Sequence, residues 1–229
     1  MRLDYTYILV LIGAIISAIA SANVNSTYKK YSKVFASSGL KAEEVAARIL
    51  RGADITDVKI DRVSGNLTDH YSPNEKVLRL SDSVYGSSSV AAIGVAAHEC
   101  GHAVQHNVGY APIKLRSAAV PIANIGSKLA WPVIIAGLVL GLGGLAKIGV
   151  FLFLFVVLFQ LITLPVELDA SRRALKIIES EAMLVGDENS AAGKVLKAAA
   201  LTYVAALFST VLQFFRLFMI AKGSGGRRR

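Results

Sequence analysis

The residues best able to do chemistry lie in Val90–His106, V-A-A-I-G-V-A-A-H-E-C-G-H-A-V-Q-H. Within that stretch His98, Glu99 and His102 form the pattern H-E-x-x-H. Residues four apart on a helix lie one above the other on the same face. His98 and His102 can therefore offer two imidazole nitrogens to one zinc ion, with Glu99 beside them as a base. Zinc acidifies water and polarises a carbonyl, while a neighbouring carboxylate takes the proton. That is the chemistry of peptide-bond hydrolysis.

The surroundings argue against an accidental motif. The residues before His98 are nearly all small or apolar, which buries the helix, and two His and a Glu are costly to bury without partners. Ser87-Ser88-Ser89 offers N-caps and Gly109 a stop, so the motif falls mid-helix. The single Cys100 lies about 200° round that helix from His98, the place of a packed core thiol rather than a ligand.

Catalytic zinc takes three protein ligands and keeps a fourth position open. The astacin-like extension H-E-x-x-H-x-x-G-x-x-H is absent, because Gln105 and Val108 stand at its Gly and third His. His106 is one turn beyond His102 on the same helix and reads as a polar helix-end residue. The third ligand is expected from another element, and the best candidate is Glu167 in L-P-V-E-L-D-A-S-R-R-A. The rival reading is a Glu favoured by a helix N-terminal dipole, with Pro165 just before it. The segment resembles the third-ligand helix of the gluzincins, whose local pattern is E-x-x-A-D. Glu167 and Ala170 match, whereas Ser171 stands where that family has an Asp that holds a zinc-binding His.

Three stretches together, A-A-H-E-C-G-H-A-V-Q, D-H-Y-S-P-N-E-K-V-L-R-L-S and L-P-V-E-L-D-A-S-R-R-A, resemble the prokaryotic membrane-bound neutral zinc metallopeptidases (YugP-like). The resemblance covers nearly the whole chain and implies a gluzincin-type zinc peptidase.

Composition sets the class. Of 229 residues 54% are hydrophobic, too apolar for an ordinary soluble domain. One cysteine excludes an internal disulfide framework. The net charge of +9 comes with no basic-aromatic module for nucleic acid, and basic residues flanking apolar runs fit a lipid bilayer instead.

Tyr5–Ala22 is uncharged and just long enough to span. Ala20-Ser21-Ala22 resembles a signal-peptidase site, which makes cleavage the rival reading. Arg2 is offset by Asp4, and Lys29, Lys30 and Lys33 crowd the far side, favouring an uncleaved anchor with its N-terminus outside. Gly39–Arg51 reads as an amphipathic helix. Val58–Val63, Leu67–Tyr71 and Lys76–Leu80 read as strands of a small antiparallel sheet, with turns at Ser64–Asn66 and Ser72–Asn74. An edge strand there suits an extended peptide. His70 and Tyr71 in this sheet are candidate oxyanion donors, with a plain sheet-surface pair as the rival reading.

Ala111–Ser127 reads as a helical lead-in interrupted at Pro121. Leu129–Ala146 and Ile148–Val166 are uncharged runs separated by Lys147, a transmembrane hairpin. Its two crossings return Glu167 to the membrane face of His102, as a shared ion requires. Ala198–Phe215 is a further apolar run, followed by Arg216; it reads either as a fourth span or as an interfacial helix.

The chain thus reads as an α+β membrane protein, mostly helical, with about three to four transmembrane helices and a zincin-like catalytic unit. Residues 1–229 form one metallopeptidase domain: a span at 5–22, catalytic helices and sheet at 39–109, and a hairpin at 129–146 and 148–166. A third-ligand segment at 167–197 and an apolar helix at 198–221 complete it. The expected protein sits in the cell membrane with its site facing the cytoplasm and binds one zinc per chain. Its substrate is a peptide or membrane protein, and nothing in the sequence specifies an oligomer. The rivals are a non-hydrolytic membrane zinc-binding scaffold and a helical membrane adaptor whose motif is accidental.

Overall fold

The computed structural model describes residues 5–224. Arg2, Asp4 and Arg227–Arg229, whose charges bear on sidedness, lie outside them. The described chain runs α1 (Tyr7–Tyr31), α2 (Ala42–Gly52), β1 (Lys59–Val63), β2 (His70–Ser72), β3 (Val77–Ser81), α3 (Val90–Asn107), α4 (Ala111–Val139), α5 (Gly143–Ser180) and α6 (Asp187–Ser224). It forms two compact units. Among the described residues, one comprises 5–21, Lys114–Leu164 and 202–224, the other Ala22–Ile113 and Pro165–Leu201.

The first unit contains the N-terminal part of α1, nearly all of α4, the N-terminal part of α5 and the C-terminal part of α6. All four helices are long and apolar enough to cross a membrane. Ile8, Leu11, Ile15 and Ile19 of α1, and Phe151 and Leu158 of α5, are exposed. Outward apolar faces of this kind are what lipid covers. Inward contacts use small residues, as membrane helices do when backbones must approach closely. A Cβ on Gly149 would meet the Ile134 amide nitrogen at 2.7 Å. Ser209 donates to the Gly13 carbonyl at 2.8 Å and stands 2.8 Å from the Ser17 hydroxyl. The protein is a multi-pass membrane protein.

The hairpin between α4 and α5 is present, but it turns at Leu140–Leu142 and not at Lys147. Glycine rather than charge sets the place. Gly141 adopts φ +65°, its amide donates to Leu138, and the Leu142 amide donates to Gly137. These are the two bonds of a left-handed helix stop that favours Gly. Two further expectations are corrected. α4 runs unbroken through Pro121 and Pro132, and α5 runs through Pro165 to Ser180. Glu167 is therefore mid-helix and opens no segment of its own. Proline removes one ladder bond, a loss that neighbouring helices make tolerable in membrane spans.

The second unit carries the sheet. Its order is β1-β3-β2, with β1 parallel to β3 and β2 antiparallel to β3. The sheet is mixed, where the turn residues suggest a purely antiparallel meander. After β1 the chain does not fold straight back. Asp82 binds Arg62 and the Gly65 amide, and Asp69 binds the Ser81 amide and hydroxyl, so the loop crosses and β2 docks on the far edge of β3. That leaves β2 as an edge strand.

Helix α3 runs through this unit's core, with Val90, Ile93, Ala97 and Cys100 buried among Val45, Ile49, Leu80, Ile178 and Val195. Ser89 caps its start by accepting from the Ala92 amide. Its end repeats the glycine stop: Gly109 has φ +66°, with bonds from Gly109 to His106 and from Tyr110 to Gln105. At Gly101 the helix backs onto α5 so closely that a Cβ would meet the Ala170 carbonyl oxygen at 2.5 Å. Only glycine allows that approach, and it sets the HExxH helix against the turn of α5 that carries Glu167.

Candidate metal centre

Fixed in this way, α3 and α5 bring three side chains to one point. His98 and His102 share a face of α3 at i, i+4, with ring centroids 4.8 Å apart in an edge-on arrangement. Glu167 projects from α5 between them. Its Oε2 lies 3.3 Å from His98 Nε2 and 3.4 Å from His102 Nε2. Ligand atoms of all three residues fall within 4.8 Å of one another. For ligands about 2.0–2.1 Å from a tetrahedral ion, two donor atoms stand about 3.3–3.4 Å apart, so both His–Glu separations are edges of such a tetrahedron. The residues fit a zinc ion.

The other ring nitrogens explain why the Nε2 atoms face inward. His98 Nδ1 is 3.0 Å from the Ser171 hydroxyl, and His102 Nδ1 is 3.1 Å from Gln105 Oε1. An Nδ1–H donated outward leaves the Nε2 lone pair free for a metal. Gln105 is fully buried and is held in turn. Its amide nitrogen donates to the Val166 carbonyl at 2.8 Å and to Asp169 at 2.9 Å, and Arg173 donates to the same Asp169 oxygen at 2.6 Å. Ser171 thus touches the outer nitrogen of His98 directly. Asp169 supports the second histidine at one remove. Sequence reasoning missed Gln105, although its position three residues after His102 puts the two side chains on one helix face.

Glu99 is buried beside this cluster, and its Oε2 accepts from the Tyr71 amide at 3.1 Å. The structure therefore brings Tyr71 to the site through its backbone. The Tyr71 ring packs against His106, with centroids 5.7 Å apart. His70 points to the other face of the sheet. It is exposed, with Nδ1 2.9 Å from the Thr68 carbonyl and Nε2 3.5 Å from Arg79. Neither His70 nor His106 belongs to the three-residue cluster.

The electrostatics favour a cation. Burial pulls the His102 imidazole down, but Glu167, Glu99 and Gln105 outweigh it and hold its pKa above the ordinary value. Asp69 is raised mainly by burial, against the bonds from Ser81, and the Glu99 charge adds to the rise. Cys100 is buried in apolar surroundings, donates weakly to the Ala46 carbonyl, and has its thiol pKa pushed far up, so it is an inert core residue.

Residues 6–222 match the sequence profile of a family described as "Putative neutral zinc metallopeptidase". The chain is also 45% identical over 215 residues to a Bacillus subtilis (strain 168) protein named "Putative membrane protease YugP", covering 93% of this chain and 96% of that relative. No solved structure matches it. With the family profile matched from residue 6 to 222 and a relative 45% identical along nearly its whole length, this chain belongs to the neutral zinc metallopeptidase family.

Proposed function

We propose that the protein is a zinc-dependent endopeptidase that hydrolyses peptide bonds in membrane-associated or unfolded proteins. The observation that carries this reading is the approach of both histidine Nε2 atoms to the buried Glu167 carboxylate, with Glu99 alongside. His98, His102 and Glu167 hold the zinc. When bound, the ion supplies Lewis acidity, polarising the scissile carbonyl and making water a nucleophile near neutral pH. Glu99 takes the proton from the attacking water and passes it to the leaving amine. The Tyr71 amide fixes one Glu99 oxygen and leaves the other to carry that proton.

Substrate enters as an extended strand at the sheet edge formed by β2, where backbone groups not already committed, as the Tyr71 amide is to Glu99, bind in alternating register. Tyr71 remains the candidate for stabilising the oxyanion. The contacts of His70 with Thr68 and Arg79 support a sheet-surface role instead. Purified protein is expected to carry about one zinc per chain. It should cut an unfolded polypeptide and lose that activity to a chelator. Zinc-loaded protein that leaves unfolded and membrane-proximal peptides intact would refute the assignment.

We further propose that the site faces the cytoplasm, because Lys29, Lys30, Lys33, Arg172 and Arg173 flank the apolar runs on the side of the ligand residues. In a Cys100→Ala background, Asn66→Cys and Asp187→Cys should resist an impermeant thiol reagent in intact cells and react after lysis. Lys147→Cys should label from outside. Labelling at 66 in intact cells would reverse the orientation.

A further inference from the structure

The hydrolytic site uses neither Lys147 nor Lys222. Between α5 and α6, within the unit that carries the apolar spans, lies a cavity of about 490 Å³. That size falls within the ~300–1,000 Å³ of small-molecule sites. Its wall is apolar, with Phe151 and Leu154 of α5 and Phe214 and Phe218 of α6, and its charged lining groups are Lys147 and Lys222. Both lysines are exposed, and neither makes an ion pair among the described residues. Phe214 and Phe218 stack with centroids 6.4 Å apart, which gives the wall a fixed surface.

The cavity is polarised along its length. A short turn joins α5 to α6, so the two helices run antiparallel. Lys147 lies near the start of α5 and Lys222 near the end of α6, which brings both ammonium groups to one end of the pair. Leu154 and Phe214 lie about two helical turns further along. We propose that this cavity binds one anionic phospholipid, with its phosphodiester on Lys147 and Lys222 and an acyl chain along Phe151, Leu154, Phe214 and Phe218. A zwitterionic headgroup carries its own cation, which opposes the two lysines. Free phosphate leaves the aromatic wall bare, and an uncharged lipid leaves the lysines without a counter-charge.

The test is native mass spectrometry of the full-length protein in detergent, titrated with phosphatidylglycerol or with phosphatidylcholine of the same chains. One phosphatidylglycerol should be retained per chain, in preference to phosphatidylcholine. Lys147→Ala with Lys222→Ala should weaken phosphatidylglycerol roughly thirty-fold and leave phosphatidylcholine unchanged, the effect expected of two lysines acting on an anionic headgroup. Leu154→Trp, which fills the apolar end, should weaken binding with both lysines intact. Lys59→Ala with Lys194→Ala, two exposed lysines outside the cavity, should leave lipid retention unchanged, and excess inorganic phosphate should not displace the lipid. Equal retention of the two lipids, full affinity in the double lysine variant or in Leu154→Trp, or displacement by phosphate would each overturn the proposal.

Discussion

Glu99→Gln is expected to reduce peptide hydrolysis by about 10²–10⁴-fold, the usual worth of a positioned general base, while zinc content stays at the wild-type level. The two halves of this expectation have separate physical origins. Gln keeps the size and one carbonyl oxygen of Glu, so the bond from the Tyr71 amide survives and the buried helix is not disturbed. The side chain loses its ability to accept a proton. Glu99 also stands outside the His98, His102 and Glu167 cluster, so the ligand set is untouched. Zinc analysis and cleavage rates on the same preparations read the two halves together, and a comparison of fragments in native membranes extends the test to natural substrates. If zinc-loaded wild type and Glu99→Gln give the same fragments, the chain is a non-hydrolytic zinc scaffold.

Much of the candidate site was legible because its chemistry is local or carries a pattern. The spacing of His98 and His102 requires only helix periodicity, and Ser89 and Gly109 cap that helix as their residue types indicate. Glu167 was reachable through the resemblance of its segment, although Pro165 misled as to where its helix begins. The supports were harder to read. That Ser171 meets His98 while Asp169 reaches His102 only through Gln105 depends on how two helices, about sixty residues apart in sequence, are rotated against each other. Gly101 encodes the closeness of that contact, but as one small residue among many in a small-residue helix it gave no distinct signal.

The sheet and the hairpin show a different limit. Turn residues predict that the chain reverses, not which edge it returns to. The parallel pairing of β1 with β3 follows from the long-range bonds of Asp69 and Asp82, which no local pattern specifies. In the hairpin, a charge served as the boundary between two apolar runs, whereas the backbone obeyed the glycine six residues earlier. Lys147 is left inside α5, where it lines the cavity instead of capping a turn.

Removing the third ligand should give the largest loss of metal. Glu167→Ala is expected to leave the protein unable to retain zinc against a competing chelator, because two histidines alone do not complete a three-ligand site. The residues that hold the histidines should matter less. Ser171→Ala and Gln105→Leu each remove the acceptor for one Nδ1–H, and such changes typically weaken metal affinity about 10–100-fold without abolishing it. Gln105→Leu also removes the donor to the Val166 carbonyl and leaves Asp169 with Arg173 alone, so its effect should exceed that of Ser171→Ala, whose serine makes a single contact with the site. Zinc per chain, measured after dialysis against chelators of graded affinity, orders the three variants. Full zinc in Glu167→Ala would remove Glu167 from the ligand set and move attention to His106, the remaining imidazole on α3. An effect of Ser171→Ala as severe as that of Glu167→Ala would place the serine among the ligands, against the 3.0 Å contact that directs it to the outer nitrogen of His98.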